Sequence, residues 1–558
     1  MTLATLKALA ADGQLTVLAG AGISHDPPSC LPLARELLRG AAEAVSAPLE
    51  KRLQSAVIAA AEALRPETFA EILLGIVGPK ALGFLSVLAS DSPNANHKAL
   101  AAALKNGGVI ATTNFDTLIE QAAAQVQVPI HVVVSTERLK LRSARIYKLH
   151  GTLTECGGLE RLALSSGQVA RRRTGALRKL LQALFRDSTV LVVGYSGMDD
   201  FDINPLLASL PRGTGRVVWI DHVGGASLPR ELEPLDRFTA PLELKGAAAL
   251  LTQADVFLRT DTTKVLSYLF GQPQFAAESR AGGPRDNDEL WRRWAQALKA
   301  SPFLVCGHIC LAAGDPRTAL QLFTTVARPS DGTLSERVRF MLGAAASLRR
   351  LGRPVAALKY GQRAVALANQ LGSPALEAEA AKIVGQQLRV MSRWRDAAHT
   401  YLLALRRLRN WPRYRAQQEE LTNALAIALD KLGKSRSAFR LLEPVAVRAR
   451  QGGRLDFASR AFNNLGLQAS NLNDHPAAEA HLEESLRLKR LLSMPSGIGN
   501  TLHNLAWLAL RTERISHARC RAIESIRAKQ RSGSDRHGIA QSMSLLAQAH
   551  LRLGRGRA

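Results

Sequence analysis

Thr16-Val17-Leu18-Ala19-Gly20-Ala21-Gly22-Ile23-Ser24 decides how the first half of this chain is read. An apolar, β-branched run ends in Gly-Ala-Gly, and a small hydroxyl residue follows. The pattern predicts a buried strand, a tight turn and then a helix. The two glycines let a second backbone, or a pyrophosphate, approach where any side chain would clash. The N–H groups of such a loop, and a helix N-terminus behind it, favour an anion. His25 stands where the dinucleotide fingerprint has its third glycine, so the stretch takes its weight from motifs further along the chain.

Other apolar runs extend the pattern on the C-terminal side. Candidate strands are Leu15–Ala19, Val109–Thr112, Ile130–Val134, Ile146–Leu149, Thr189–Val193 and Arg216–Ile220, with helical patterns such as Leu33–Ala44 and Gly175–Phe185 between them. Strand–helix alternation predicts an α/β, doubly wound parallel sheet. In such sheets ligands bind beyond the carboxyl ends of the strands.

Three further motifs each follow a candidate strand. Thr112-Thr113-Asn114-Phe115-Asp116 offers an amide and a carboxylate that can hold a ribose hydroxyl or a water, or can simply cap the next helix. Lys148-Leu149-His150-Gly151-Thr152 ends a strand on a histidine, whose ordinary pKa is near neutrality; a structural histidine is the alternative. Val192-Val193-Gly194-Tyr195-Ser196-Gly197-Met198-Asp199-Asp200-Phe201-Asp202 gives a strand, a glycine turn, a serine and acids that can equally cap a helix.

The second half repeats itself. Alanines recur at Ala319, Ala357, Ala397, Ala438, Ala478, Ala518 and Ala558, at intervals of 38 to 41 residues. Turn-like pairs Leu351-Gly352, Leu432-Gly433 and Leu472-Asn473 lie six residues upstream of three of them. Each unit reads as a helix, a short turn and a second helix whose small alanine permits close approach. Such a unit cannot bury its apolar face alone and must stack. The region from about 290 onward resembles the tetratricopeptide repeat family in a longer form; generic helical hairpins are the alternative. The chain ends on Ala558, so the last unit lacks a second helix, which implies truncation or completion by a partner. The expected organisation is 1–270 as an α/β domain, 271–288 as a linker and 289–558 as an all-α helical-hairpin solenoid.

Bulk numbers narrow the function classes. The 558 residues are 46% hydrophobic, enough for sizeable cores. There is no long apolar run and no ordered signal peptide, so a cytoplasmic protein off the membrane is expected. Five scattered cysteines form no disulfide framework. Cys306 and Cys310 lie four apart on an apolar helix face with no second ligand pair nearby, which favours packing over a metal. The net charge of +26 is unevenly shared. Residues 1–280 hold 29 Lys/Arg and 26 Asp/Glu, a balance of +3; residues 281–558 hold 44 and 21, a balance of +23. Arg-rich solvated faces would account for the excess, as would an acidic protein ligand or nucleic acid.

Gly-Ala-Gly-Ile-Ser, Thr-Asn-Phe-Asp, His-Gly-Thr and Gly-Tyr-Ser-Gly-x-Asp occur in the order and spacing of the SIR2 family, and residues 10–260 resemble its Rossmann-like domain. The resemblance implies NAD as substrate. It implies that Gly20, Ala21, Gly22 and Ser24 line the pyrophosphate and ribose. Thr113, Asn114 and Asp116 would face the nicotinamide side, with Asn114 positioning the ribose or the attacking water. His150 would be the catalytic histidine, Gly194 and Ser196 would hold the adenosine side, and Asp221 would reach a ribose. Sirtuin deacylases carry a four-cysteine zinc module between the Asn-Asp motif and the serine loop. Here that interval contains only Cys156, so no zinc is expected and deacylation is disfavoured.

Zinc-less members are similar to bacterial antiphage effectors that hydrolyse NAD to nicotinamide and ADP-ribose. The expectation is therefore an NAD hydrolase that depletes NAD in antiviral defence and is regulated by the repeats. Its partner would be a trigger, phage-derived or a separate defence subunit, and it would form a homo-oligomer. A protein deacylase or ADP-ribosyltransferase on the same site, and a non-enzymatic repeat scaffold, are the competing readings.

Overall fold

Among the described residues, seven strands run through the first part of the chain: β1 Leu15–Ala19, β2 Val109–Thr112, β3 Val132–Val133, β4 Ile146–Lys148, β5 Thr189–Val193, β6 Val217–His222 and β7 Val256–Thr260. They are taken from a computed structural model that describes residues 2–134, 146–153, 175–185, 188–196, 203, 215–228, 255–271, 286–298, 300–325, 333–492, 494–531 and 536–554. All pairings are parallel and the sheet order is β3-β4-β2-β1-β5-β6-β7. β1, β2 and β5 have the bounds read from the sequence, while β3 is shorter than expected. β7 was not among the candidate strands: its apolar run is only Val256-Phe257-Leu258 before Arg259.

The chain divides into two units, Met1–Lys299 and Ala300–Ala558. In the first, the alternation of each strand splits its residues between two cores. Leu15, Val17 and Ala19 face one layer with Ile110, Leu191 and Val218; Leu18, Ala111, Val190 and Val192 face the other. The first layer is built by α1 (Leu3–Ala11) and, further on, α5 (Ala95–Lys105), α6 (Leu118–Gln125) and α8 (Thr262–Phe270). The second contains α7 (Gly175–Phe185). The sheet is therefore doubly wound. β1 stands at its centre, with β2 on one side and β5 on the other, so the strand order reverses there. In doubly wound sheets that reversal is where ligands bind, beyond the carboxyl ends of the strands.

Three more helices, α2 (Ala34–Ser46), α3 (Lys51–Glu62) and α4 (Pro66–Val77), lie between β1 and β2. The first unit ends on α9 (Asn287–Ala297). Asp286 caps it by accepting from the Glu289 N–H. α9 docks through two tryptophans. Trp294 donates from Nε1 to the Ala81 carbonyl at 3.0 Å. Trp291 lies so close to Gly40 on α2 that a Cβ there would sit 2.0 Å from the ring. Of the expected linker 271–288, only Gly271 and residues from Asp286 fall within the described residues.

The second unit is a run of paired helices: α10 Pro302–Ala313 with α11 Pro316–Thr325, α12 Leu334–Arg350 with α13 Pro354–Leu371, α14 Pro374–Val390 with α15 Trp394–Leu408, α16 Arg415–Lys431 with α17 Ser435–Gln451, α18 Leu455–Asn471 with α19 His475–Leu491, α20 Pro495–Arg511 with α21 Ile515–Arg531, and α22 Arg536–Arg552. Each of the alanines from Ala319 to Ala518 is the fourth residue of the second helix of its pair, and each is at most 1% exposed. At Ala478 the small residue lies where the two helices of a pair approach closely: a Cβ on Gly466 of α18 would meet the Ala478 carbonyl of α19 at 3.0 Å. Ala558 lies outside the described residues.

Candidate active site

The ladder hydrogen bonds continue one residue past the strands. Gly20 N donates to Val193 O at 3.0 Å, Thr113 N to Ala19 O at 3.1 Å, and Leu149 N to Thr112 O at 2.8 Å. The loops that follow β1, β2, β4 and β5 therefore leave the sheet side by side at its carboxyl edge. Three glycines draw two of them together. A Cβ on Gly20 would meet the Gly194 carbonyl at 2.6 Å, and one on Gly22 would meet Gly194 Cα at 2.9 Å. Gly194 itself has φ +61° and could carry a Cβ only 2.5 Å from Ile23 N. The close approach of backbone to backbone, one of the two uses of a Gly-x-Gly loop, is present here.

The expected helix behind that loop is corrected. Ala21–Ser24 is a single 3-10 turn, and no α-helix begins until Ala34. Pro27 and Pro28 explain it: neither offers an N–H, and the residue before a proline is pushed out of the helical region. The N–H groups of Gly22 and Ile23 are also spent inside the protein, on Gly194 O and Gly20 O.

Beneath the loops lies a closed polar network. Ser24 Oγ donates to Asp116 Oδ2 at 3.0 Å, accepts from Asn114 Nδ2 at 3.1 Å, and lies 3.0 Å from His97 Nε2. Asn114 Nδ2 also donates to Asp116 Oδ2 at 3.2 Å. Asp116 Oδ1 accepts from the Leu118 N–H, so the carboxylate caps α6 as well. Ser24 is 1% exposed, and Asn114 and Asp116 are each 5% exposed. A carboxylate can only accept, which orients the Asn114 amide with its nitrogen inward. Asn114 Oδ1 is then left buried with no hydrogen-bond partner among the described residues. An unmet buried acceptor is costly, so it marks a place for an incoming donor.

His97 was not anticipated from the sequence. It is the third residue of α5, whose N-cap Asn94 accepts from the N–H groups of Asn96 and His97. Burial pulls its imidazole down to about 4; Asp116 opposes this, Lys148 adds to it, and Asp26 opposes it. Asn94 followed three residues later by a side chain able to reach back is a capping signature, and it was the readable sign. Lys148 is a second unanticipated member. Its fully buried ammonium pairs with Glu120 Oε1 at 2.9 Å and donates to the Asp116 carbonyl.

The remaining expected residues lie nearer solvent. His150 is partly exposed after β4, its ring 6.1 Å from that of Phe115. Leu153 N donates to Phe115 O, so the loops carrying Asn114 and His150 are hydrogen-bonded to each other. Ala21 and Ser196 are exposed, and Thr113 and Gly194 are partly so. Asp221, at the carboxyl end of β6, pairs with Arg259 of β7 at 3.3 Å. The acids of the fourth motif, Asp199, Asp200 and Asp202, lie outside the described residues, as does Cys156. Cys306 and Cys310 are buried on α10, and burial pushes both thiols upward, Cys310 to about 12.

Residues 108–234, which carry Asn114, His150, Ser196 and Asp221, match the family of SIR2-like domains. No curated protein matches the chain. Among solved structures, the chain is similar to the apo form of RapI, at 14% identity over 49% of this chain and 72% of that one, with a TM-score of 0.37. It is similar to the apo form of the quorum sensor NprR from B. thuringiensis, at 13% identity over 46% and 82%, with a TM-score of 0.35. It is also similar to kinesin light chain TPR-like repeats from Podosopora anserina, at 13% identity over 34% and 93%, with a TM-score of 0.28.

Proposed function

We propose that the first unit hydrolyses NAD at the bond between nicotinamide and ribose. A SIR2-like domain points to an NAD-using enzyme; the choice of hydrolysis rests on the site. The observation that carries it is Asn114 Oδ1, a buried acceptor without a partner among the described residues, at the switch point of the sheet. NAD supplies donors that fit such an acceptor: the ribose hydroxyls and the carboxamide N–H. The attacking water is a third.

The reaction consumes NAD and water and yields nicotinamide, ADP-ribose and a proton. The bond to the ring nitrogen breaks with its electron pair leaving on nicotinamide, which already carries the positive charge, so little acid catalysis is needed. The transition state has oxocarbenium character, as in glycoside hydrolysis. Asn114 would fix the ribose or the water. His150, partly exposed on the neighbouring loop, would take the proton from the water or from a ribose hydroxyl. Ser24 and Asp116 are committed to each other and to Asn114, so their part is to hold the amide rather than to touch the substrate. Thr113, Ala21 and Gly22 would face the pyrophosphate and nicotinamide ribose, and Gly194, Ser196 and Asp221 the adenosine half.

The biological reading is a bacterial antiphage effector that depletes NAD when the repeats engage a trigger. Full-length protein incubated with NAD should release nicotinamide and ADP-ribose in equal amounts. Asn114→Ala and His150→Ala should each remove that activity while the melting temperature stays within a few degrees. NAD-dependent deacylation of acetyl-lysine peptides by the same preparation, without free hydrolysis, would overturn the choice of reaction.

A further inference from the structure

Every bond in the network around Asn114 has a direction, set from two ends: the Asp116 carboxylate, which can only accept, and the His97 imidazole. The Asn94 N–H donates to His97 Nδ1 at 3.1 Å. That nitrogen therefore carries a lone pair, and a neutral imidazole must carry its proton on Nε2. The Nε2–H then faces Ser24 Oγ at 3.0 Å as a donor. With one lone pair taken by His97 and the other by Asn114 Nδ2, the hydroxyl has a single hydrogen left to give, and Asp116 Oδ2 receives it. The oxygen of Ser24 is fully saturated: two bonds accepted and one donated. Asn114 is thereby met by an acceptor on its inner side from both Ser24 and Asp116, and only its carbonyl can face outward.

We propose that His97 is a positioning residue for NAD cleavage, acting through Ser24 so that Asn114 presents a hydrogen-bond acceptor to the ribose or water. The proposal rests on the hydrolase reading above and adds to it a residue 17 positions before Asn114 that has no contact with substrate. It assigns His97 two separable tasks. Accepting from Asn94 N–H is structural and holds the start of α5. Donating to Ser24 is functional: it fills the second lone pair of Ser24 Oγ and holds that oxygen in place against the Asn114 amide, whose nitrogen the Asp116 carboxylate also draws inward. The charged groups facing the imidazole are Asp116 after β2, Asp26 after the 3-10 turn and Lys148 on β4. Protonating the ring would put a hydrogen on Nδ1, directly against the Asn94 N–H, and would break the cap.

Two substitutions separate the tasks. His97→Asn keeps an acceptor at about the position of Nδ1 and is too short to donate to Ser24. His97→Gln carries an acceptor and a donor at about the spacing of the two ring nitrogens. Full-length wild type, His97→Asn and His97→Gln should be compared for NAD turnover, for thermal melting, and for the imidazole tautomer by 15N NMR of histidine-labelled wild type. The expected result is a kcat at least tenfold lower in His97→Asn with KM within about twofold, a kcat within about threefold of wild type in His97→Gln, and a wild-type ring protonated on Nε2 alone at pH 7. Equal turnover in the two variants, whether both full or both lost, overturns the proposal, as does a ring protonated on Nδ1. If the wild type itself leaves NAD intact, the hydrolase reading fails, which is a different outcome from an active wild type whose two variants do not differ.

Discussion

Lys148 carries its ammonium into the interior beside the Asn114 network, and Glu120 answers it at 2.9 Å. Removing one member of a buried pair leaves the other charge uncompensated, which costs about 3–5 kcal/mol. Lys148→Met should therefore destabilise the first unit by about 3 kcal/mol in a denaturant titration; a change below about 1 kcal/mol would show that Glu120 is solvated without it. His97 gives a second, pH-dependent consequence. Its folded pKa of about 4 lies below the ordinary histidine value, so the unfolded chain binds more protons between the two. The stability it contributes is complete above the unfolded pKa, about 6.5, and is lost as the pH falls through the folded one. The loss amounts to roughly 3 kcal/mol. Other histidines and carboxylates titrate as well, so the quantity to measure is the difference in unfolding free energy between wild type and His97→Gln from pH 7 to 4. Convergence or reversal of the two curves across that range is expected; parallel curves would contradict the buried neutral ring. Asn114, Asp116 and Ser24 were readable as polar residues where strands end. Their division of labour was not, because nothing in their residue types separates a serine sealed at 1% exposure from the exposed Ser196.

The helix pairs show the same mixture of signal and silence. The alanine ladder was legible because a small residue at a fixed interval has one packing meaning. The turn that precedes it was legible only in part. Left-handed backbone recurs at Gly314, Gly352, Ser392, Gly433, Asn473, Glu513 and Gly554, with φ from +56° to +90°. Glycine and asparagine announce that conformation; Ser392 and Glu513 adopt it without announcing it, held by the hairpins on either side. Glu513→Gly should relieve that strain and raise stability by about 1 kcal/mol, read as a higher melting midpoint. An unchanged or lower midpoint would mean that the Glu513 side chain contributes more than its backbone costs. In the first unit the helix expected directly after Gly-Ala-Gly is absent, and Pro27 and Pro28 were the sign left unread; β7 was hidden because its apolar run is only three residues before Arg259 and Thr260.

For the molecule as a whole, the charge asymmetry has two parts. Several arginines of the repeats staple one hairpin to the next, Arg454 with Glu419, Arg460 with Glu420, Arg514 with Glu479 and Arg521 with Glu483, and Arg407 with Glu377 ties the two helices of one hairpin. With 44 Lys/Arg against 21 Asp/Glu after residue 280, most of the excess cannot be matched inside the chain. Arg436, Arg440 and Arg448 are exposed along α17. A trigger that uses this charge should bind with steep salt dependence, because exposed charges are screened over about 8 Å at physiological ionic strength. Binding of poly-glutamate to the full chain should weaken sharply between about 50 and 300 mM salt and should be reduced by the triple reversal of these arginines to Glu. Binding that ignores both would mean the charge serves only solvation. None of this matters unless the first unit cleaves NAD. The deciding measurement is nicotinamide and ADP-ribose release from NAD by the full-length protein beside its Asn114→Ala variant. Equal, if slow, release of both products by the wild type and none by the variant is expected; intact NAD with the wild type, or equal cleavage by both proteins, would contradict the assignment.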